Sequence, residues 1–224
     1  MRLLVRRNSA EETNMNHIVI DRAGQGQLNA ALLDSMFQLR HSVFHDRLGW
    51  QVRSEHGREH DWYDLIGPHY LVARSGPGID DAIGCWRLLP TTGPYMLRDV
   101  FPMLLDGGCA PADPLVWEIS RFAIAEDHAG GSFGFSSLPA DMLRAMLRFG
   151  ISQGLDAIVG VTSAAVERML RKLGFTVERL GKPRRIGNVM SVAFRLPLDE
   201  ATQQAVCGTV LRTSHEQAAY EQAA

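Results

Sequence analysis

Ionisable residues stand in this chain where a generic core has no use for them. In Trp117–Ile124, WEISRFAI, a glutamate, a serine and an arginine interrupt an otherwise apolar strand. A carboxylate at Glu118 can act as a general base, directly or through a water. Backbone carbonyls beside Glu118 and Ser120 can share in that step. Strict alternation along a strand puts Glu118 and Ser120 on one face and Arg121 on the other, so all three serve one site only if the strand bulges. Upstream, Arg87 ends an apolar strand at the head of RLLPTTGPYMLRDVFP. There it is either a snorkelling edge residue or the partner of an acid. Two acids, Asp61 and Asp64, lie three apart in DWYD, and LRHSVFHDRLGW supplies Arg40, Phe44 and Trp50. A guanidinium pairs with a carboxylate through two bonds, and aromatic faces attract a cation or a purine. Taken singly, each has a bland reading: D-x-x-D as a solvated loop, Glu118 with Arg121 as a surface ion pair.

The elements that must position these residues follow from periodicity and turn chemistry. His17–Asp21 is a short strand. Leu28–Leu48 is a helix with Leu32, Met36, Leu39 and Val43 at core spacing and with Arg40 and Phe44 together on an adjacent stripe. Gln51–Gly67 is a charge-rich loop, long enough to suggest function. Tyr70–Arg74, Ala82–Leu89 and Leu115–Ala125 are strands, with a short helix over Tyr95–Leu105 after Pro94. Gly130–Ser137 is a Gly/Ser-rich turn before an amphipathic helix, Leu138–Gln153. Then come a buried strand, Ala157–Thr162, a helix, Ala164–Leu173, and strands Phe175–Leu180 and Val189–Leu196. This order predicts a mixed α/β (α+β) fold with a mostly antiparallel, twisted sheet flanked by helices. One domain over 17–197 is expected, with a flexible tail over 1–16 and a polar tail, helical or frayed, over 198–224.

Arg40, Phe44, Trp50, Asp61, Asp64, Arg87, Glu118 and Arg121, in these runs and in this order, closely resemble the signature of the bacterial acyl-homoserine-lactone synthases, the autoinducer synthases of quorum sensing. The resemblance spans roughly Phe37 to Leu196, with no departure among these positions. It implies the fold of the Gcn5-related N-acetyltransferases. It also implies two substrates: S-adenosylmethionine, and an acyl thioester carried on acyl-carrier protein or coenzyme A. No permanently bound cofactor and no metal are implied. On this reading Arg40, Phe44, Trp50, Asp61, Asp64 and Arg87 bind S-adenosylmethionine or organise its loop, while Glu118, Ser120 and Arg121 serve catalysis with Glu118 as the general base. Gly130–Gly134 falls where the related acetyltransferases cradle a pyrophosphate on backbone N–H groups. Family members that make 3-oxo products often carry a threonine where Gly160 stands, which disfavours a 3-oxo chain.

The remaining residues bound the alternatives. Met142, Met146, Phe149, Ile158 and Gly160 are candidates for an acyl-chain pocket, although most serve equally as core. From Arg168 to Arg195 there are eight basic residues against one acidic. Among them Arg168, Arg171, Lys172, Lys182, Arg184 and Arg185 form a candidate face for acidic acyl-carrier protein. No helix-turn-helix, finger or RNA-binding motif accompanies that charge, so nucleic acid is not expected. His41 and His45 have a metal-binding spacing, but no third ligand is evident. The 224 residues are 46% hydrophobic and 21% charged, ordinary for a soluble domain. No run is apolar enough to cross a membrane. Cys85, Cys109 and Cys207 suit neither a disulfide framework nor a zinc motif, which points to a reducing cytoplasm. Two rival functions stay open: a coenzyme-A-dependent N-acyltransferase for another amine, and a non-catalytic acyl-carrier-binding module.

Overall fold

The computed structural model describes residues 17–128 and 137–204. The chain folds as two compact units, one built from residues 1–89 and 120–146, the other from 90–119 and 147–224. The glycine-rich turn over 130–134, and all but the start of the C-terminal tail, lie outside the described residues.

In the first unit, strands β1 (Ile18–Arg22), β4 (His69–Arg74) and β5 (Ala82–Pro90) pair antiparallel, followed by the second half of β6 (Val116–Ile124). Almost every residue of β4 is buried, as befits a central strand with both faces covered. Helix α1 (Ala30–Arg40) begins at Asn29, whose side chain accepts the N–H of Leu32 at 2.9 Å. The expected core stripe is in place: Leu32, Met36, Leu39 and Val43 are all buried, together with Val19, Tyr70 and Val72. The α-helix stops earlier than periodicity predicts. From His41 to Arg47 the chain winds as a π-helix, and the N–H of Leu48 bonds the carbonyl of Val43, five residues back. Most of the expected 51–67 loop has structure of its own, a two-stranded hairpin of β2 (Ser54–Glu55) and β3 (Arg58–Glu59) followed by a 3₁₀ turn at Trp62–Asp64. A 3₁₀ turn this short carries no periodicity to read in the sequence.

In the second unit, the first half of β6 pairs parallel with β7 (Ala157–Ser163), but only over Val116–Ile119. The whole of β7 pairs antiparallel with β10 (Val189–Pro197), against which both β8 (Glu178–Arg179) and β9 (Arg184–Ile186) lie. Strand β9 was not anticipated. It sits in the charged run KPRRIGN and is defined by a two-residue turn at Gly187–Asn188, where Gly187 takes φ 55°. The single helix expected at Tyr95–Leu105 is two short pieces, α2 (Met96–Asp99) and a 3₁₀ turn (Pro102–Leu105), because Pro102 cannot continue α2. The two long helices are close to their expected bounds, α3 at Ser137–Ser152 and α4 at Ala164–Lys172. The fold is mixed α/β with a mostly antiparallel sheet, and β6–β7 is its parallel pairing.

Gly160 is required by that parallel pairing. A Cβ there would stand 2.7 Å from the carbonyl oxygen of Ile119 and 3.2 Å from the Phe194 ring. A threonine at this position therefore has no room without moving β6 backbone. Gly160→Thr is expected to destabilise the chain by about 1–3 kcal/mol, read from the midpoint of urea unfolding. A midpoint equal to wild type would show that β6 does not press on Gly160.

Candidate active site

The first unit gathers three arginines, two of them fully buried, among three carboxylates. Arg40, fully buried at the end of α1, donates from Nε to Glu59 Oε2 at 2.6 Å and forks onto Asp64 at 2.8 and 2.9 Å. Arg87, fully buried on β5, also forks, donating to both oxygens of Asp61, and reaches Asp64 Oδ1 at 2.9 Å and Ser120 Oγ at 3.2 Å. Arg121 completes the ring, from Nη2 to Asp61 Oδ2 at 2.7 Å and to Glu59 Oε1 at 3.1 Å. Tyr70 donates its hydroxyl to Asp64 at 2.7 Å. Charges balance three against three, so no buried ion is left without an opposite partner.

Local structure aims each acid. Asp61 caps the 3₁₀ turn, accepting the N–H of Tyr63, while Asp64 reaches back to the N–H of Asp61 at 2.7 Å. This reciprocal cap orients both carboxylates from within the turn itself. Burial alone would raise the pKa of Asp64; the hydrogen bonds and charge of Arg40, with the charge of Arg87, hold it far below the usual carboxylate range. The phenol of Tyr70 is driven up, first by burial and then by the Asp64 charge. The Cys85 thiol, buried beneath the site, is pushed up to about 12 by desolvation and is inert at neutral pH.

The problem of alternation along β6 is solved by one residue. Arg121 adopts φ 57°, the left-handed region, at a cost of about 1–2 kcal/mol for a non-glycine residue. This turns its side chain so that Arg121 and its neighbour Ser120 both enter the ionic lattice. The carbonyl of Arg121 accepts a weak bond from Cys85 Sγ at 3.6 Å.

The aromatic residues are arranged differently from a pair of open faces. Phe44 is buried and stacks on Trp50 at 5.2 Å, with the guanidinium of Arg121 over its ring at 5.5 Å. Trp50 is the exposed member, at 46%. Tyr63 similarly lies under the guanidinium of Arg87 at 5.2 Å. Glu59 and Tyr70 belong to the lattice but carry no signal in the sequence. Glu59 is one of several charges in a polar run, and its complete burial follows from the β2–β3 hairpin.

Glu118 belongs to the second unit and is 1% exposed. Its carboxylate accepts the N–H groups of Met96 at 3.0 Å and Leu97 at 2.6 Å, capping α2, whose own N-cap Tyr95 gives the helix no side-chain cap. The Pro-Thr-Thr-Gly-Pro run shapes a turn: Thr91 Oγ1 donates to the carbonyl of Asp113 at 2.9 Å and accepts its N–H at 3.0 Å. Among the pocket candidates, Met142 fills the space left by Gly84 and is fully buried, as is Met146. Phe149 packs edge-on against Trp117 at 6.1 Å, and Ile158 is buried in β7. In the basic stretch, Arg171 is bound to Glu167 and to the carbonyl of Val177, and Arg184 to Asp106. Arg168, Lys172, Lys182 and Arg185 are exposed.

Because Asp64 binds its proton less tightly folded than unfolded, its contribution to stability is complete above about pH 4 and is lost as pH falls toward its folded pKa. Unfolding midpoints should therefore drop steeply below about pH 4, beyond a shallower loss between about pH 7 and pH 5 from His69, whose pKa burial lowers. Asp64→Asn should unfold about 3–5 kcal/mol more easily at neutral pH, since it leaves Arg40 and Arg87 short of a counter-charge. Its acid drop should also be shallower; a drop as steep as that of wild type would remove Asp64 as the cause.

A family model described as autoinducer synthase matches residues 25–206. The chain is 40% identical over 185 residues to the acyl-homoserine-lactone synthase of Pseudomonas aeruginosa, covering 83% of this chain and 92% of that one. Its structure is similar to that of the coenzyme-A-dependent acyl-homoserine lactone synthase BjaI, solved with S-adenosylmethionine and isopentyl-CoA. The TM-score is 0.77 at 29% identity, over 87% of this chain and 89% of BjaI. The fold alone is shared with a protein taken to be an N-acetyltransferase from Lactobacillus plantarum, at TM-score 0.55 and 17% identity, over 81% of this chain and 99% of that one. With Arg40, Asp61, Asp64, Arg87 and Arg121 of the motif joined in one lattice, and with this likeness along the greater part of its length, the chain belongs to the autoinducer synthase family.

Proposed function

We propose that this protein is an acyl-homoserine-lactone synthase that joins an acyl thioester to S-adenosylmethionine and releases a quorum-sensing signal. The observation that carries this reading is the edge of the ionic lattice. Among its charged members, Asp61 and Arg121 are the two whose side chains reach solvent appreciably, at 17% and 11%, and they face each other at 2.7 Å. An α-amino acid end, with its ammonium and carboxylate, is the ligand suited to trade places with such a pair. The exposed ring of Trp50, stacked behind on Phe44, offers a face for the sulfonium or adenine. Arg40, Asp64 and Arg87, with Glu59, hold these groups in place.

The amine gives up a proton, attacks the thioester carbonyl, and the C–S bond breaks to release the thiol. The substrate carboxylate then attacks its own γ-carbon, and the electron pair of the breaking bond returns to the sulfonium as methylthioadenosine leaves. Glu118 is the proton acceptor through a water, with the carbonyls near Glu118 and Ser120 assisting. Its capping bonds to Met96 and Leu97 fix where it stands. The second step needs mainly positioning, since the leaving group is already activated. The acyl chain lies along Trp117, Phe149 and Ile158. The donor arrives on acyl-carrier protein, met by Arg168, Lys172, Lys182 and Arg185, or as the coenzyme A ester. The reaction takes place in the cytoplasm, and no helix among the described residues is long and apolar enough to cross a membrane.

Incubation with S-adenosylmethionine and a panel of acyl thioesters, followed by mass spectrometry, should show lactone and methylthioadenosine in equal amounts. Amide without methylthioadenosine would identify an N-acyltransferase for another amine, and no free thiol a binding module. Arg121→Ala and Trp50→Ala should each raise KM for S-adenosylmethionine about tenfold or more. Glu118→Ala should lower kcat by about 10²-fold or more and flatten the acid limb of the pH–rate profile. An unchanged profile in a folded Glu118→Ala chain would assign the base elsewhere.

A further inference from the structure

The π-helical turn carries a second cluster of polar side chains, on His41, His45 and Asp46. Each offers one ligand atom, and these atoms all lie within 4.8 Å of one another. Asp46 Oδ1 is 2.8 Å from His45 Nδ1 and 3.5 Å from His41 Nε2. Ligands at about 2.0–2.1 Å around a tetrahedral zinc stand about 3.4 Å apart, so the second of these separations is already that of a coordination edge.

The backbone explains why the sequence does not announce the third ligand. On an α-helix a residue five positions on is turned about 140° away, which would carry Asp46 off the face of His41. In the π winding, with its i→i+5 bonds, residues 41, 45 and 46 share one side. The two imidazoles stack at 4.7 Å and 17°, and a small rotation of His45, which is 52% exposed, brings its Nδ1 toward an ion between them.

Ser54 prepares His41 for this role. Its hydroxyl has one proton, and it lies 3.2 Å from the carbonyl of Arg58, an acceptor only. Donating there, it accepts from Nδ1–H of His41. The neutral ring is thus held in the tautomer that leaves the Nε2 lone pair facing Asp46. A partner on the far nitrogen of a ligating histidine is the usual second layer of a metal site.

We infer that His41, His45 and Asp46 form a binding site for a divalent first-row transition ion, with zinc, cobalt or nickel as the fitting class. Two imidazoles and one carboxylate suit such ions and not magnesium or calcium. The site is open, so water completes the coordination sphere. The turn it clamps also carries Phe44, which stacks on Trp50, and follows directly on Arg40; occupancy should stiffen the segment that presents them.

The test uses the full, untagged chain with Co²⁺ and Zn²⁺ as probes. Calorimetric titration should show one site, Co²⁺ should give visible absorption of a tetrahedral or five-coordinate ion, and Zn²⁺ should raise the unfolding temperature. His45→Ala and Asp46→Asn lie on the exposed side of the turn. Each should weaken binding at least tenfold and abolish the thermal shift, and Ser54→Ala should weaken it by about 10–100-fold. Binding that survives both His45→Ala and Asp46→Asn, or none in wild type, would overturn the site. Mg²⁺ should give no shift; an equal response to Mg²⁺ would also overturn it.

Discussion

The first unit depends on holding two guanidinium groups, those of Arg40 and Arg87, out of water, with a third, Arg121, at the edge. Each arginine taken into the interior loses its hydration, and the loss is recovered only if carboxylates meet it with good geometry and no lone pair or N–H is wasted. Arg40 and Arg87 are fully buried and share Asp64, while Arg121 shares Glu59 with Arg40 and Asp61 with Arg87. Sharing is what makes the lattice rigid. Asp64 accepts from both arginines, from Tyr70 and from the backbone of Asp61, so displacing its carboxylate would break bonds to all four. The 3₁₀ turn, the β2–β3 hairpin and the end of α1 are thereby tied to the floor of β4 and β5.

Strain and order are linked at Arg121. A left-handed backbone at an arginine persists only where its surroundings over-determine it. Here Glu59, Asp61 and the ring of Phe44 all hold the side chain that the unusual φ angle delivers. Within the same strand, two residues earlier than this bend begins, β6 stops pairing with β7 and Glu118 turns its carboxylate to the amides of α2. One strand therefore supplies a fixed acid, a hydroxyl and a strained cation within four consecutive positions.

The π-helical turn is the other departure from regular structure. It follows directly on Arg40, and it lets the chain bury Val43 and Phe44 side by side while His45 and Asp46 remain exposed. Such turns are rare and cluster at functional sites. In this chain one turn positions Phe44 beside Arg121 on its inner side and gathers His41, His45 and Asp46 on its outer side.

The residues legible in the sequence were those whose types conflict with their surroundings: an arginine ending the apolar strand β5, a glutamate in WEISRFAI, and the paired acids of DWYD. The apolar stripe of α1, the strands β4 to β7 and the helices α3 and α4 were equally legible, because burial imposes a period on the chain. Glu59 and Tyr70 were not, since a charge in a polar run and a tyrosine in a strand are ordinary until the hairpin and the sheet bring them to Arg40 and Asp64. Nor was the job of Glu118 as the cap of α2, or the winding of 41–47. Residue types and their order determined the chemistry and the family. Which acid meets which arginine depends on hydrogen-bond geometry, φ angles and packing between segments distant in sequence, and those are fixed only when the chain has folded.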